Sequence, residues 1–208
     1  MANAPALTLY HHPHSRSAGV RVMLEELGVD YRIELVNLQA GEQRRPEFLA
    51  LNPLGKLPTL VDGDTVVTEQ VAIYLHLADR FPETGLAPSI GDPARGGYLR
   101  WMVYYASCFE PAVVDRSLKR EGAEPMMSPY RDFDSMLAAL EAQIARGPWM
   151  LGERFSAADV LWGTALNWTT QFGLVPKSDV IERYIERAKA RPAFQRAAAL
   201  DAELLATA

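Results

Sequence analysis

The stretch from Asn52 to Leu77, NPLGKLPTLVDGDTVVTEQVAIYLHL, constrains the fold more than any other part of the chain. It contains two short β-rich runs, residues 57–61 and 65–68, separated by the turn residues Asp62-Gly63-Asp64. That pattern predicts a β-hairpin. Residues 70–80, which follow, are rich in apolar side chains and predict a helix.

Both ends of this predicted hairpin carry residues that suit a ligand. Pro58 has no amide hydrogen, so it belongs at a strand entrance, an edge or an unusual bend. A cis Leu57–Pro58 bond would turn the backbone of Leu57 outward, where it can pair with another chain-like molecule. Glu69 and Gln70 lie where a helix N-terminus and its side chains can capture a carboxylate or an amine. The stretch therefore predicts a corner that binds a peptide-like ligand.

The first 80 residues alternate between strand and helix patterns in the order β-α-β-α-β-β-α, which predicts a small mixed sheet with helices packed on it. Ser15 or Ser17 is the predicted cap of the first helix, and Gly28 is its predicted C-terminal stop. The other elements of this half are expected at 6–10, 29–36 (parallel to the first strand), 46–51, 57–68 and 70–80.

The second half has a different pattern. A Pro- and Gly-rich segment, 81–97, reads as a linker, and no strand is predicted beyond it. Helices are expected at 94–118 (kinked at Pro111), 130–146, 157–171, 179–190 and 192–205, with Ser156 and Asp159 forming a capping box. The predicted domains are an α/β domain at 1–82, a linker at 83–93 and an all-α domain at 94–208.

Composition narrows the function classes. The apolar fraction of 49% and the charged fraction of 23% are ordinary for a globular protein. The net charge of -5 is not accompanied by a basic stripe, so no nucleic-acid partner is predicted. No apolar run approaches the ~18 residues of a membrane span, and residues 1–7 lack a leader pattern, so we expect a cytoplasmic protein with no membrane partner. Cys108 is the only cysteine, which excludes redox chemistry that needs a Cys pair in this chain.

Four motifs together resemble the cytosolic glutathione transferases: HSRSAGVRVMLEELGVDY, NPLGKLP, TEQVAIYLHLADRF and FSAADVLW. The first is similar to the Ser-type N-terminal helix of several plant, bacterial and fungal classes. The resemblance extends from about Leu7 to Leu200. It implies a thioredoxin-like first domain, an all-helical second domain, glutathione as co-substrate and a homodimer.

Glutathione conjugation needs a thiolate near neutral pH, whereas a free thiol with a pKa of ~8.5 is only slightly ionised there. The resemblance implies that Ser15, just after the first strand, donates a hydrogen bond to the sulfur, with the helix N-terminus adding a favourable dipole. Ser17 and Tyr10 are the alternatives. Arg16 either adds positive potential or is simply solvated.

The resemblance also assigns the glutathione backbone. Leu57, before the expected cis Pro58, should pair with the cysteinyl unit, Glu69 should bind the γ-glutamyl ammonium, and Gln70 should bind its carboxylate. Lys56, with Gln43 or Arg44, should face the glycyl carboxylate. Gln70 stands where the family usually has Ser, and Gly19 where many relatives carry a basic residue.

Outside this corner, the aromatic-rich helix after the linker should line the electrophile pocket, with Tyr104, Tyr105, Cys108 and Phe109 as its candidate residues. Cys108 is also expected to be a buried helix residue, and Trp162 and Trp168 are expected in the core. His11, His12 and His14 are interrupted by Pro13, so we expect them in a solvent-facing loop at the active-site mouth rather than in a metal site.

The sequence thus predicts a transferase that adds the glutathione thiolate to a hydrophobic electrophile, with a role in detoxification. Two alternatives stay open: a binding or regulatory module without turnover on the same scaffold, and a glutathione-dependent isomerase or dehalogenase that uses the same thiolate.

Overall fold

The computed structural model describes residues 7–120 and 123–207; the predicted strand residue Ala6 lies outside them. The chain divides into two compact units. The first comprises Met1–Thr84 and Arg191–Ala208, and the second comprises Gly85–Ala190.

The first unit is built on a four-stranded mixed sheet with strand order β2-β1-β3-β4. β1 (Leu7–His11) pairs in parallel with β2 (Tyr31–Leu35) and antiparallel with β3 (Thr59–Asp62), which forms the predicted hairpin with β4 (Thr65–Thr68). Three leucines of the two central strands are almost fully buried: Leu7, Leu9 and Leu60. The predicted mixed sheet is confirmed.

The described part of the first unit contains four α-helices: α1 (Ser17–Leu27), α2 (Pro46–Leu51), α3 (Gln70–Arg80) and α9 (Pro192–Thr207). Gly28 ends α1 in the left-handed conformation, as predicted, and its amide donates to the Leu24 carbonyl. The predicted serine cap is wrong. Arg16 takes the cap position without a side-chain bond, because the two serine hydroxyls are engaged elsewhere.

The last helix, α9, packs on α1 through charged pairs as well as apolar contacts. Arg191 forms a bidentate ion pair with Glu26 (2.6 and 2.7 Å), and Arg196 binds Glu25 at 2.9 Å. Planar, bidentate Arg–carboxylate pairs fix geometry better than single surface pairs do. This packing places α9 in the first compact unit, although the sequence grouped residues 94–208 together; the predicted domain boundaries stay predictions.

The second unit is helical over its described residues. It contains α4 (Arg95–Tyr104), α5 (Glu110–Ser117), α6 (Phe133–Ile144), α7 (Ala157–Gln171) and α8 (Asp179–Lys189). Its only extended pairings there are isolated bridges at 149–154. The predicted all-helical character is confirmed.

Two predicted helices of this unit differ from the structure. The helix predicted at 94–118 is divided into α4 and α5 by a π-helical segment, Tyr105–Phe109, close to the predicted kink at Pro111. Pro111 has no amide hydrogen to offer the carbonyl four residues earlier, and the wide turn lies directly before it. α6 starts at Phe133 rather than Tyr130, because Arg131 has a positive φ of 64° and Asp132 caps the helix by accepting from the Ser135 amide at 2.7 Å.

Trp162 is the centre of the second unit's core. It is fully buried, as predicted, and its indole N–H donates to the Trp101 carbonyl at 3.2 Å. Four aromatic rings surround it at centroid distances of 5.0–6.4 Å: Trp101, Tyr104, Tyr105 and Phe109. The prediction that Trp168 lies in the core is wrong. It is 47% exposed and packs on Phe172, one helical turn later.

Asp159 organises the start of α7 from a fully buried position. Its carboxylate accepts hydrogen bonds from the Met150 amide (2.6 Å), the Tyr184 hydroxyl (2.7 Å), and the amide and hydroxyl of Ser156 (2.9 and 3.0 Å). The predicted pairing of Asp159 with Ser156 is confirmed. Burial raises the pKa of the Asp159 carboxyl to about 6, although these donors act in the opposite direction.

We predict that Asp159→Asn destabilises the protein in a pH-dependent way. The amide NH₂ would face hydrogen-bond donors, a cost of about 1–3 kcal/mol. The Asp159 pKa of about 6 lies above the ordinary value for Asp, so its protonation stabilises the fold below pH ~4 and is lost as pH rises through about 6. In unfolding titrations, the deficit of the variant should therefore be larger at pH 4 than at pH 7, by up to roughly 3 kcal/mol. The exposed residue Asp134 provides the control, Asp134→Asn; an equal deficit at both pH values would contradict the prediction.

Candidate active site

Strand register brings three separate chain segments to one edge of the sheet. Tyr10 of β1 is paired with Thr59 of β3, which is paired with Thr68 of β4. The C-terminal ends of β1 and β4 and the N-terminal end of β3 therefore lie side by side. The segment after β1, the Leu57-Pro58 segment before β3, and the Glu69-Gln70 segment after β4 all emerge there. The predicted corner is assembled from these three segments.

Ser15 and Ser17 lie within one hydrogen-bond cluster at this edge. Their hydroxyl oxygens are 2.7 Å apart, and the Ser17 amide donates to the Ser15 oxygen at 3.2 Å. Ser15 also donates to the His12 carbonyl at 2.9 Å, while the His12 amide donates to the Ser17 hydroxyl at 3.0 Å. Ser15 is partly exposed and Ser17 is fully buried. Of the two serines, only Ser15 presents surface to a ligand.

The cluster continues inward to a buried histidine. The Nδ1 atom of His11 is 2.8 Å from the Ser17 hydroxyl, and its Nε2 atom is 2.9 Å from Oδ1 of Asp201 on α9. His11 is 0% exposed, so its expected place in a solvent-facing loop is wrong; it is the last residue of β1, and its side chain is enclosed.

A charged network stands behind this histidine. Arg21 donates to the same Asp201 oxygen at 2.5 Å and to the Tyr31 hydroxyl at 3.3 Å, while Tyr31 donates to Glu25 at 2.6 Å. Burial, followed by the bond to Glu25, raises the pKa of Tyr31 to about 12, which keeps it a donor. On the outer side, burial lowers the pKa of His12, and the neighbouring His14 and His11 add to that effect.

The loop before β3 has the expected cis Leu57–Pro58 peptide bond. Asn52, which is 4% exposed, holds this loop from inside. Its amide group donates to the Lys56 carbonyl (2.9 Å) and the Thr59 hydroxyl (3.1 Å), and its side-chain oxygen accepts from the Leu54 amide (3.1 Å). Pro58 is buried and Leu57 is partly exposed. These hydrogen bonds hold the loop in place from within the protein.

A second segment, the 3₁₀ turn Glu42–Arg44, lies directly against this loop. Gly55 has a positive φ of 60°, and a Cβ at that position would be 2.8 Å from the Gln43 carbonyl oxygen. The Gln43 amide group faces the Leu38 carbonyl at 3.4 Å, and its Oε1 atom is buried without a hydrogen-bond partner among the described residues. Arg44 and Lys56, the two predicted cations, are exposed on these adjoining segments.

Glu69 has an unusual backbone conformation for a non-glycine residue, with φ 67° and ψ 120°. Such conformations cost about 1–3 kcal/mol and concentrate at functional sites. The residue is exposed, and its carbonyl accepts from the Ile73 amide at 3.0 Å in the first turn of α3. Through this backbone conformation, the exposed residue Glu69 and the first amides of α3 lie at the same edge of the sheet.

Gln70 links the hairpin to the serine segment. It is 9% exposed, and its side-chain amide donates to the Arg16 carbonyl at 3.3 Å. Arg16 itself is exposed, and Tyr10, the other alternative for the thiol, packs edge-on against Phe48. Gly19, buried inside α1, has no side chain to offer a ligand.

In the second unit, the four predicted electrophile-pocket residues lie close together in the sequence. Tyr104 is the last residue of α4, and the other three lie in the π-helical segment. Tyr105 and Phe109 are buried in the cluster around Trp162, and the Tyr105 hydroxyl donates to Glu110. Tyr104 and Cys108 are partly exposed, so the expected burial of Cys108 is wrong; its thiol donates to the Pro129 carbonyl at 3.2 Å. Burial raises the pKa of Tyr104, whose hydroxyl donates to the Met136 carbonyl.

Among residues 7–120 and 123–207, no group of three His, Cys, Asp or Glu side chains could hold a metal ion. Within the same ranges, no helix is both long and apolar enough to cross a membrane.

Comparison with known proteins decides the family. The model of the glutathione S-transferase N-terminal domain matches residues 5–79, and that of the C-terminal domain matches residues 130–199. Glutathione S-transferase 3 of Zea mays is 32% identical over 209 residues, covering 93% of each chain. The chain belongs to the glutathione S-transferase family.

Relatives within the glutathione S-transferase family carry different activity names. Maleylacetoacetate isomerase of Pseudomonas aeruginosa is 32% identical, covering 92% of this chain and 95% of its own. Disulfide-bond oxidoreductase YfcG of Escherichia coli is 29% identical over 92% of this chain and 94% of its own. The names of these relatives therefore cover more than one reaction.

Solved structures of the same family match both units. A glutathione transferase from Methylococcus capsulatus aligns with a TM-score of 0.79 and 30% identity, covering 94% of this chain and 98% of its own. A glutathione transferase homologue from Sulfitobacter, solved with bound glutathione, aligns with a TM-score of 0.74 and 29% identity, covering 95% of this chain and 97% of its own.

Several residues of this candidate site were missed by sequence reasoning. Asn52 and Thr59 look like ordinary loop and strand residues, yet they hold the cis-proline loop together. His11 was expected in a solvent-facing loop, and its partner Asp201 is 190 residues away from it in the sequence. The NP at the start of the NPLGKLP motif was the one available signal, since an Asn before a Pro marks a local turn.

We predict that Gly55→Ala weakens glutathione binding by about tenfold or more and lowers the melting temperature. The Cβ would collide with the Gln43 carbonyl, so the loop or the 3₁₀ turn must move. Gly63→Ala is the matched control, because Gly63 has a similar φ of 58° but open space at the Cβ position, so only the conformational cost of about 1–2 kcal/mol applies. Calorimetric titration and thermal unfolding measure both effects; equal losses in the two variants would disprove the role of the close approach.

Proposed function

We propose that this chain is a glutathione transferase that adds the glutathione thiolate to a hydrophobic electrophile. One observation carries the proposal: Ser15, the Leu57-Pro58 segment and the strained Glu69 converge on the same sheet edge through the β1-β3-β4 register. These groups complement a thiol, a peptide backbone and an ammonium group in that order. The family membership supports glutathione as the ligand that has all three.

Ser15 is the residue we assign to the thiol. It is partly exposed, whereas Ser17 is enclosed, and its carbonyl accepts from the Ala18 amide at 3.1 Å in the first turn of α1. A hydroxyl at this point can donate to a thiolate while the helix N-terminus favours negative charge. Both effects stabilise the ionised form, which is the nucleophile.

The remaining groups divide the glutathione backbone among themselves. Glu69 would bind the γ-glutamyl ammonium, and the first amides of α3 with Gln70 would bind its carboxylate. Since the Gln70 side chain already donates to Arg16, the α3 amides have the larger share of that task. Arg44 and Lys56 suit the glycyl carboxylate better than Gln43 does, because the Gln43 amide faces Leu38 and its free atom is an acceptor.

For the electrophile, Tyr104 and Cys108 are the best candidates among the four pocket residues, because they retain exposed surface at the π-helical segment, and π-helical turns are frequent at functional sites. Tyr105 and Phe109 would support them from the core. The homodimer, the cytoplasmic location and the role in detoxification stay predictions from the resemblance and the composition.

A glutathione-dependent isomerase is the second candidate. The 32% identity with maleylacetoacetate isomerase over 92% of this chain supports it. Both reactions begin with the same thiolate, but isomerisation returns glutathione, whereas conjugation consumes one thiol for each product. The two reactions can therefore be distinguished by measuring how much free glutathione thiol is lost for each molecule of product.

The test combines calorimetric titration with glutathione and a thiol count during reaction with an aryl halide or a cis-configured unsaturated diketo acid. Binding with loss of one thiol per product supports the transferase. Product without thiol loss supports the isomerase. Absence of binding at millimolar glutathione contradicts both and favours the binding or regulatory module.

We predict that Glu69→Gln weakens glutathione binding by about tenfold to a hundredfold, since a charge-assisted bond to an ammonium is worth about 1.5–3 kcal/mol. Glu83→Gln removes the same charge from an exposed site beyond the other end of α3 and should leave the affinity unchanged. Calorimetric dissociation constants compare the two variants. Equal affinities in Glu69→Gln and wild type would rule out the assigned role.

We predict that Ser15→Ala raises the pKa of the bound thiol and lowers kcat more than it raises the dissociation constant, because the hydroxyl acts on the developing thiolate. Loss of one such donor costs about a hundredfold in rate. The pH–rate profile should shift to higher pH with little change in calorimetric affinity. An unchanged profile at full rate would remove Ser15 from the chemistry.

A further inference from the structure

We propose that the proton of the glutathione thiol is carried away from Ser15 through Ser17 to the imidazole of His11, with Asp201 compensating the charge that His11 acquires. The proposal rests on the proposed function, because it concerns the thiol that Ser15 is assigned to. It assigns positioning roles to three residues that act through Ser15: Ser17, His11 and Asp201.

A continuous chain of short contacts runs inward from the exposed serine. Ser15 Oγ lies 2.7 Å from Ser17 Oγ, Ser17 Oγ lies 2.8 Å from His11 Nδ1, and His11 Nε2 lies 2.9 Å from Asp201 Oδ1. Ser17 and His11 are both fully buried, and the Asp201 side chain is 15% exposed. This series of hydrogen bonds connects β1, the start of α1, and α9 within the first unit.

The hydrogen bonds have a definite direction in the resting enzyme. With Asp201 ionised, His11 donates from Nε2 and accepts at Nδ1, so the Ser17 hydroxyl donates to Nδ1. The Ser17 oxygen then accepts from the His12 amide at 3.0 Å. In the relay, the single Ser15 proton turns from the His12 carbonyl, 2.9 Å away, to the Ser17 oxygen, so that each hydroxyl points inward, from the thiol position towards the imidazole.

Thiol ionisation reverses this direction. The S–H bond of glutathione breaks and its proton moves to Ser15 Oγ, the Ser15 proton moves to Ser17 Oγ, and the Ser17 proton moves to His11 Nδ1. The electron pair of the S–H bond stays on sulfur. The products are a thiolate and an imidazolium. In the product state His11 donates to Ser17, Ser17 donates to Ser15, and Ser15 donates to the thiolate, which is the hydrogen bond that stabilises the nucleophile.

The groups that face His11 determine whether the imidazolium is tolerated. Asp201 on α9 favours it, whereas Arg21 on α1, which binds the same carboxylate oxygen at 2.5 Å, opposes it; His12, the next residue along the chain, adds a like charge only when protonated. Arg21 and Asp201 neutralise each other at rest. In the relay, the thiolate and the imidazolium are formed together and balance each other's charge.

A purely structural network would make the same contacts, since the bond from His11 to Asp201 also holds α9 on the sheet. The two roles differ in what they do to the thiol. A structural network affects stability and leaves the pKa of the bound thiol unchanged. A relay alters that pKa and the protonation state of His11.

The experiment on the wild-type protein uses ¹⁵N-labelled histidine. On addition of glutathione, the two ring nitrogens of His11 should change from the neutral to the doubly protonated chemical shifts. S-Methylglutathione, which has no thiol proton, should leave His11 neutral. An imidazole that stays neutral while bound glutathione is ionised, as seen by its ultraviolet thiolate absorbance, overturns the relay.

Three variants test the same proposal through the thiol pKa. His11→Asn keeps a side-chain acceptor near the Nδ1 position but cannot take the proton, Ser17→Ala interrupts the chain, and Asp201→Asn removes the compensating charge. Each should raise the pKa of the bound thiol by about one unit or more and lower the rate at neutral pH about tenfold, with recovery at higher pH and a glutathione Kd within about twofold of wild type. Glu203→Gln, an exposed site on α9, is the control.

The outcomes separate this proposal from the proposed function. If wild-type protein neither binds glutathione nor ionises its thiol, the proposed function fails and the relay fails with it. If wild type binds, ionises and conjugates, but His11→Asn and Asp201→Asn bind glutathione with an unchanged thiol pKa, the relay alone is wrong. The relay alone is also wrong if these variants have a lower melting temperature but the same pH–rate profile as wild type.

Discussion

The pairing of Tyr10 with Thr59, and of Thr59 with Thr68, is the constraint on which the site depends. A shift of one residue in a strand exchanges its two faces and would move every side chain at the adjoining ends. The buried faces of β1 and β3 resist such a shift, because Leu9 and Leu60 are fully enclosed opposite each other. The packing of the core thereby determines where the serine, proline and glutamate segments meet.

The parts of the fold that were predictable from the sequence are those encoded by neighbouring residues. The hairpin follows from the turn residues between two β-rich runs, the end of α1 from Gly28, and the start of α7 from Ser156 and Asp159. The cis bond before β3 was anticipated from the family resemblance, because a proline at a strand entrance does not by itself determine the isomer. Family motifs supplied the roles of the site residues, which local patterns alone could not do.

The features that escaped prediction depend on contacts between distant residues. Nothing near His11 in the sequence indicates that its partner is Asp201, and the serine that resembles a helix cap bonds to that histidine instead. The exposure of Trp168 depends on which helix face the rest of the second unit covers. The π-helical segment reflects a compromise between Pro111 and the aromatic core, which single-residue propensities do not contain.

The assignment of α9 to the first unit has a consequence for synthesis. Its ion pairs with Glu25 and Glu26, and the bond from Asp201 to His11, join residues from opposite ends of the printed sequence. On the ribosome, the sheet and α1 emerge before the second unit, yet α9, which packs on them, is made only after all of Gly85–Ala190. The second unit is therefore free to complete its fold before the first can do so, and the buried histidine is enclosed only after α9 has been made.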